Sequence, residues 1–241
     1  MQKEIEAVVL AGGRGAKMGE ITRNQQKCLL PVDEKPILYH ILENIQVAFG
    51  SAKVVIATGY LGENIKKLIG TKFGNLEIEY VHNPNPLETK NRLLLAESVI
   101  SHPFLFLAGD VIVHPAQLEK VATNFESDKP TGILGVVSGA IDHKPALSHV
   151  LISEKDDRVT ELVFPPPAVW GNYHLREMHV AYYDKGFFKL LCQSPHDILY
   201  LSTIISNAIK AGTEFAVVKY SNHWYHFSKQ EDLQTNIVYD L

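Results

Sequence analysis

The sequence predicts an α/β fold, a three-layer αβα sandwich with a mixed, mainly parallel central sheet. Runs at 7–10, 54–58 and 104–108 are apolar at odd and even positions alike, which is typical of parallel strands covered on both faces. Stretches at 36–49, 63–69 and 89–100 carry apolar residues at helical spacing and lie between these runs. Strands that alternate with helices imply right-handed crossovers and parallel pairing.

The second half of the chain has a different pattern. Residues 149–153 and 158–164 flank the polar stretch EKDD at 154–157 and predict a β-hairpin. Further strands are expected at 178–183 and 215–220, and helices at 115–125 and 198–211. Because no repeat or long linker interrupts the chain, we predict a single domain, 1–241, whose role changes near residue 130.

Composition excludes several classes of function. The formal net charge is −4, from 23 basic and 27 acidic residues, and no long basic run could neutralise a nucleic-acid backbone. Cys28 and Cys192 are too few and too far apart for a disulfide framework, and the charged N-terminus resembles neither a signal peptide nor a membrane span. We therefore expect a cytoplasmic protein without a nucleic-acid or membrane partner. The oligomeric state stays open, and a homo-oligomer is one of the alternatives.

The stretch LAGGRGAKMGEITRNQQKCLLPV, from Leu10 to Val32, suggests a nucleotide site. A glycine-rich turn that leaves a buried parallel strand presents several backbone N–H groups, which suit phosphate oxygens. Arg14, Lys17 and Lys27 can add positive charge around a triphosphate. The spacing is neither that of a P-loop nor Gly-x-Gly-x-x-Gly. The alternative is a tight turn whose glycines serve backbone geometry alone.

With Lys27 and LLPV at 29–32 in register, this stretch resembles the signature of the sugar-1-phosphate nucleotidyltransferase family, roughly LAGGxGxRLxPLTxxxPKxLLPV. NPNP at 83–86 stands where the family reads the base, and FLFLAGD at 104–110 resembles its strand ending in Gly-Asp. WYHF at 224–227, followed by EDL at 231–233, resembles the C-terminal segment W-x-D-I-x-T-x-E-D-L. The resemblance implies a Rossmann-like fold of the glycosyltransferase-A and nucleotidyltransferase type, with a nucleotide-binding half, 1–130, and an acceptor-binding half, 131–241.

The resemblance also implies a reaction and a set of roles. A phosphomonoester oxygen of a sugar-1-phosphate or similar acceptor attacks the α-phosphorus of a nucleoside triphosphate, and pyrophosphate leaves as an NDP-sugar forms. Arg14 would neutralise the pyrophosphate, Lys27 would grip phosphate, and Asp110 would hold Mg²⁺. The implied nucleotide-binding residues are Leu10, Ala11, Gly12, Gly13, Arg14, Gly15, Lys17, Asn83 and Gly109, and the acceptor-binding residues are Asn91, His179 and His226. The alternatives are a solvated Lys27 and an Asp110 that caps the helix beginning at Pro115.

Several positions depart from the family pattern. His226 stands where a second metal-binding aspartate is usual, and imidazole is a poor ligand for Mg²⁺. FPPP at 164–167 replaces a segment ending in Glu-Lys-Pro, and His179 stands where a small glycine is expected. Lys17 replaces an arginine. These departures support a second hypothesis, a catalytically impaired homologue that binds nucleotide or NDP-sugar as a sensor or regulatory subunit.

Residues 86–96, PLETKNRLLLA, point to another acceptor class. They are similar to the E-T-x-N-x-x-x-L-x-x-A segment of cytidylyltransferases that act on phosphocholine or inositol phosphate. The similarity makes CTP and a non-sugar phosphate serious alternatives to a sugar nucleotide. The structural alternative is that Thr89 caps the helix that follows.

Overall fold

A ten-stranded sheet runs through the part of the chain that the structure, a computed structural model, describes: residues 5–85, 88–125, 131–138, 150–164, 175–220 and 224–238. The strands are β1 Glu6–Ala11, β2 Pro31–Val32, β3 Lys35–Pro36, β4 Ala52–Thr58, β5 Lys72–Phe73, β6 Leu76–His82, β7 Phe104–Ala108, β8 Val111–Val113, β9 Gly132–Ser138, β10 Leu151–Lys155, β11 Arg158–Val163, β12 Leu175–Tyr183, β13 Phe215–Tyr220 and β14 Trp224–His226. The helices are α1 Ile37–Phe49, α2 Gly62–Ile69, α3 Thr89–Leu94, α4 Pro115–Thr123, α5 Phe187–Gln193 and α6 Leu201–Lys210, with short 3₁₀ segments at Ala16–Thr22, Lys27–Leu29 and Gln230–Gln234.

The sheet is mixed, which confirms the predicted fold class. Its strand order is β10-β11-β13-β9-β12-β7-β1-β4-β6-β5. Strands β7, β1, β4 and β6 pair in parallel, whereas β12 pairs antiparallel with both β7 and β9. The pairing of β12 with β7 makes one continuous sheet from the first and second halves of the chain.

Helices cover both faces of the sheet and give the three layers. Along β1, Ala7 and Val9 face α1, α2 and α4, whereas Val8 faces the side covered by α3, α5 and α6. All three side chains are fully buried. Burial on both faces explains why this run is apolar at every position, since each buried aliphatic side chain of this size contributes about 1.5–3 kcal/mol. Within the described residues, no helix is long and apolar enough to cross a membrane.

Several elements differ from the sequence expectations, and three of them show why. The helix expected at 89–100 ends at Leu94, because the following backbone makes tight bonds three residues apart, such as Ala96 N to Leu93 O at 3.0 Å. The glycine-rich turn enters a 3₁₀ segment broken at Gly19 rather than a regular helix. Strand β6 was not predicted, because it lies beside the two-residue edge strand β5 and keeps charged side chains at Glu77 and Glu79.

The ends of β1 and β7 approach each other closely at Gly109. Its N–H donates to the carbonyl of Leu10 at 2.9 Å. A Cβ atom at position 109 would lie 2.5 Å from that same oxygen, which is closer than non-bonded carbon and oxygen atoms can pack. Glycine is therefore required at the carboxyl end of β7, where the chain passes the end of β1.

We expect Gly109→Ala to destabilise the fold by about 1–3 kcal/mol, the usual cost of forcing extra atoms into a packed site. Chemical denaturation followed by circular dichroism would measure the change. Gly13→Ala is the matched control, because a Cβ there meets no atom within 4 Å. Equal stabilities for the two variants would contradict the close approach.

Candidate nucleotidyltransferase site

A cavity of about 580 Å³ opens at the carboxyl ends of the parallel strands, beside the glycine-rich loop. Leu10, Gly12, Gly13 and Lys17 line it from the first half of the chain. Gly15 has a left-handed backbone, with φ of 65°, and turns the chain into the 3₁₀ segment. The loop is thus held at the edge of the sheet where open α/β folds bind ligands.

Arg92 packs against this loop and explains two glycines, one in the loop after β1 and one after β4. Its guanidinium is buried and donates to the carbonyl of Thr58 at 3.0 Å. A Cβ at either Gly12 or Gly59 would overlap the same guanidinium. Sequence reasoning gave Arg92 no role, although it lies within the stretch compared with cytidylyltransferases. The clearest sequence signal for a large side chain packed at this point was the pair of glycines after β1 and β4, Gly12 and Gly59.

Lys27 and Asp110 form an ion pair across the site. The Lys27 ammonium contacts Asp110 Oδ2, and 16% and 26% of the two side chains are exposed. The two structural alternatives are therefore wrong: Lys27 is not a solvated loop lysine, and α4 is capped by His114, whose Nδ1 accepts from Ala116 N at 3.2 Å. Burial raises the pKa of Asp110, but the neighbouring His226 and the charge of Lys27 lower it by more, so the pKa of the carboxyl is held well below its usual range.

Cys28 follows Lys27 but is part of the core rather than a reactive thiol. Its side chain is 2% exposed. Burial, together with the nearby charge of Asp110, raises the pKa of the thiol to about 12. Because thiolate is the nucleophilic form of cysteine, this residue packs the base of the lysine-bearing segment and takes no part in chemistry.

Strand pairing places His226 next to Asp110. Strand β14 pairs antiparallel with β8, with His226 opposite Val111, and Phe227 N donates to the Asp110 carbonyl at 3.0 Å. His226 Nε2 lies 3.7 Å from Asp110 Oδ2. Asp232 braces this segment, since its Oδ2 accepts from Ser228 N at 2.7 Å and Lys229 N at 2.8 Å. The position that resembles the family's second aspartate thus does reach the site, but it carries an imidazole.

His179 reaches the same cavity from an irregular point in β12. Its φ is 59°, and the register of β12 against β9 shifts between Glu177 and Ala181. Its ring centroid lies 5.2 Å from that of His226, and its Nδ1 lies 2.9 Å from Glu177 Oε2. A positive φ at a residue other than glycine costs of the order of 1–3 kcal/mol. This cost explains why the family pattern would place glycine here.

The structure brings together part of the predicted site. The predicted residues that line the cavity are Leu10, Gly12, Gly13, Lys17, Asp110, His179 and His226. The other seven are not among the lining residues. Ala11 is buried in β1, Arg14 lies over the ring of Tyr60 at 5.3 Å, Asn83 Oδ1 accepts from Asn85 N at 3.0 Å, and Asn91 is half-buried on α3, while Gly15, Lys27 and Gly109 have the positions described above. Pro86 and Pro165 to Pro167 lie outside the described residues.

Thr89 does not cap α3, contrary to the structural alternative. The N-cap position is Glu88, and no side-chain capping bond is made there. Thr89 instead lines the cavity. The short stretch that is similar to cytidylyltransferases therefore borders the site.

The part of the cavity formed by the second half of the chain is mostly apolar. The apolar lining residues include Leu134, Val150, Leu162, Phe164, Tyr200, Leu201 and Ile205. The rings of Phe164 and Tyr200 pack together with centroids 5.4 Å apart. Glu177 and His179 are the polar groups that β12 adds. Ser202 and the hydroxyls of Tyr183 and Tyr200 are further hydrogen-bonding groups among the described residues that line this region.

Comparison with known proteins identifies the family. The family model described as nucleotidyl transferase matches residues 6–228. The chain belongs to the nucleotidyl transferase family. This membership confirms the resemblance to sugar-1-phosphate nucleotidyltransferases and places the glycine-rich loop, Lys27 and Asp110 within the matched region.

Relatives of this chain carry several activities in their names. CMP-5'-(3-aminopropyl)phosphonate synthase of Streptomyces rubellomurinus is 30% identical over 215 residues, covering 86% of this chain and 34% of the relative. UTP–glucose-1-phosphate uridylyltransferase AglF of Haloferax volcanii is 31% identical over 125 residues, covering 52% of this chain and 51% of the relative. The chain thus spans a third to a half of the length of these relatives.

Solved structures share the fold at low sequence identity. A UDP-glucose pyrophosphorylase complexed with UDP-glucose superposes with a TM-score of 0.80 at 15% identity, covering 95% of this chain and 96% of that one. The inositol-1-phosphate CTP transferase from T. maritima gives a TM-score of 0.78 at 21% identity, covering 98% of this chain and 94% of that one. These matches confirm the fold of the chain.

The depressed pKa of Asp110 predicts an acid-dependent loss of stability. A carboxyl whose folded pKa lies below its unfolded value of about 3.9 stabilises the fold above that pH, and the contribution is lost as pH falls toward the folded pKa. Urea unfolding between pH 6 and pH 2 in the presence of a chelator would measure it. We expect Asp110→Asn to flatten the fall in unfolding free energy below pH 4. Parallel curves for the two proteins would contradict the assignment.

Proposed function

We propose that this nucleotidyl transferase is an enzyme that transfers a nucleoside monophosphate from a nucleoside triphosphate to a phosphorylated acceptor and releases pyrophosphate. The observation that carries the proposal is the convergence of Lys27, Asp110 and His226 beside the glycine-rich loop and the cavity. A single catalytic domain, 1–241, would bind the nucleotide through 1–130 and the acceptor through 131–241. The two free cysteines, Cys28 and Cys192, support a cytoplasmic location.

The reaction requires positioning and charge neutralisation more than covalent chemistry. An acceptor oxygen attacks the α-phosphorus, the bond to the bridging oxygen breaks, and that oxygen leaves with pyrophosphate. Backbone N–H groups of the loop at Gly12 and Gly13 can hold the triphosphate, because that face of the cavity is open. Lys27 can neutralise charge that develops during the transfer, since its ammonium already lies at the edge of the site.

The residues fit Mg²⁺ as a cofactor. Among the described residues, no group of three or more His, Cys, Asp or Glu side chains is arranged to hold a metal. Mg²⁺ does not need such a cage, since it commonly takes one or two carboxylates and completes its coordination with substrate phosphates and water. Asp110 would supply the carboxylate. When bound, the ion would neutralise charge on the phosphates during transfer.

We propose CTP as the donor and a small phosphonate or phosphomonoester as the acceptor. The relative matched over 86% of this chain is named as a synthase of a CMP-phosphonate, and a CTP transferase shares the fold. Thr89, from the stretch similar to cytidylyltransferases, lines the cavity. The aliphatic and aromatic side chains that line the acceptor region also suit a short carbon skeleton. Hexose-1-phosphates, which relatives such as AglF name, are the competing acceptors.

A binding protein without catalysis is the second candidate. The resemblance implies two metal-binding aspartates, but His226 stands in place of the second one. The first, Asp110, is in an ion pair with Lys27. A protein that retains the loop but lacks a second hard ligand could bind nucleotide or a nucleotide-activated product as a sensor.

Pyrophosphate release tests the enzyme proposal. The purified protein, with Mg²⁺ and each common nucleoside triphosphate, would be assayed against 2-aminoethylphosphonate, phosphocholine, inositol phosphate and hexose-1-phosphates. We expect release with CTP and a small acceptor, and a fall of roughly 100-fold or more in Asp110→Ala, the scale of losing a major electrostatic contact. Release that favours UTP with glucose-1-phosphate would contradict the donor and acceptor proposed here. No pyrophosphate release with any acceptor, together with retained CTP binding, would favour the binding protein.

The substitution His226→Asp also distinguishes the enzyme from the binding protein, because it restores the missing aspartate instead of removing a residue of the site. It replaces the imidazole 3.7 Å from Asp110 with a hard oxygen ligand for Mg²⁺. In the enzyme we expect kcat with Mg²⁺ to be retained or raised, as measured by the same assay. An inert natural protein that gains activity through this substitution would instead identify a binding protein that has lost its metal ligand.

A further inference from the structure

The conformation of His179 is unusual for a strand residue. Its φ of 59° lies in the left-handed region, where glycine is accommodated most easily, and it falls where the β12–β9 register shifts. The irregularity turns this side chain into the cavity wall, between Glu177 and His226. Strained backbone of this kind concentrates at functional sites, so the conformation of His179 suggests a functional role for this residue.

Glu177 holds the imidazole in one orientation. Its carboxylate is 11% exposed, and Oε2 lies 2.9 Å from His179 Nδ1. The backbone of Glu177 is fixed in turn, because its N–H donates to the Val150 carbonyl at 2.9 Å. With Nδ1–H donated to the carboxylate, Nε2 is the ring nitrogen left to serve a ligand.

We propose that Glu177 and His179 form an anion clamp for the acceptor's phosphonate or phosphate group, in which His179 Nε2–H donates to an acceptor oxygen and Glu177 acts as a positioning residue. This inference rests on the proposed function and deepens it by naming the group that binds the acceptor's charged end. The clamp makes and breaks no covalent bond. It holds an oxygen other than the attacking one, so that the attacking oxygen is free to reach the α-phosphorus.

The charges around His179 support the clamp. Burial lowers the pKa of His179, but the charge and hydrogen bond of Glu177, with a contribution from Asp110, raise it more, while Arg176 opposes them. The net direction is upward, which favours a ring that carries protons on both nitrogens. The proposed function assigns Lys27 to the phosphate that is transferred, so a donor at His179 gives the acceptor's charged group a partner of its own on β12.

The clamp also separates this chain from the family pattern in a physical way. A glycine at position 179 would leave room for a sugar ring to lie against the strand. An imidazole there fills that space and supplies a donor, which favours a compact acceptor whose charged group lies next to β12. Size and charge therefore act together on the choice of acceptor.

Imidazole NMR tests the clamp without requiring turnover. The full chain, labelled with ¹⁵N at histidine, would be titrated with methylphosphonate in the presence of CTP and then separately without it. We expect the His179 ring signals to shift. The affinity should fall roughly 10-fold or more in His179→Asn, the scale of one hydrogen bond to a charged group. Asparagine tolerates a positive φ, so this variant is expected to keep its fold, as a melting curve would check.

Glu177→Gln tests the positioning role, because it removes the charge while keeping the shape. We expect it to weaken methylphosphonate binding and to change the protonation pattern of the His179 ring, a readout that general loss of packing would not produce. His196→Asn is the matched control, since His196 is exposed and lies outside the cavity lining. Methylphosphonate that binds His179→Asn as tightly as the natural protein would overturn the clamp.

Steady-state kinetics distinguish failure of the clamp from failure of the proposed function. With 2-aminoethylphosphonate as acceptor, the clamp predicts that His179→Asn raises KM for the acceptor roughly 10-fold or more, again on the scale of one charged hydrogen bond, while KM for CTP changes little. Turnover with an unchanged acceptor KM would leave the enzyme proposal intact and refute the clamp. A natural protein that gives the expected methylphosphonate shifts but no turnover would support the clamp and refute the enzyme proposal.

Discussion

The ion pair between Lys27 and Asp110 joins segments that are 83 residues apart in the chain. Lys27 belongs to the segment after the glycine-rich loop, and Asp110 follows the end of β7. The backbone of Asp110 also accepts from Phe227, so the C-terminal strand depends on the same point. Because both side chains are largely removed from water, losing either charge would leave the other costly to bury. The edge of the sheet that holds the candidate site is therefore built around one partly buried pair of opposite charges.

Close packing of the backbone around glycines positions the segments that carry Lys27 and Asp110. Gly109 allows β7 to approach the carbonyl of Leu10, and Gly12 and Gly59 leave room for the guanidinium of Arg92. Arg92 ties the loop to β4 through the carbonyl of Thr58. Glycines in such loops are often interpreted as ligand-binding features, but these have a structural reason as well. The loop can present its N–H groups to phosphate because Arg92 and the neighbouring strands fix its position first.

The parts that the sequence predicts well are those specified by local pattern. Runs that are apolar at every position identify β1, β4 and β7, and helical spacing identifies α1 and α2, because burial acts directly on neighbouring residues. Lys27, Asp110 and His226 were found through motifs in register. Glu177 and Arg92 were missed, because their roles arise from contacts between distant segments: a register shift in β12 for Glu177, and the approach of two loops for Arg92. No short-range pattern carries that information.

The two regions of the cavity differ in the chemical groups that they offer to a ligand. Near Asp110, charged and imidazole groups from four segments lie within a few ångströms of one another, and the proposed function assigns them to phosphate oxygens and Mg²⁺. Farther along, Leu134, Leu162 and Phe164 offer apolar surface. A hydroxyl placed against that surface loses its bonds to water without replacement, whereas a methylene gains from burial. Under the proposed function, the charged end would bind the phosphate groups, and the apolar end would restrict the carbon skeleton that accompanies the acceptor's phosphate.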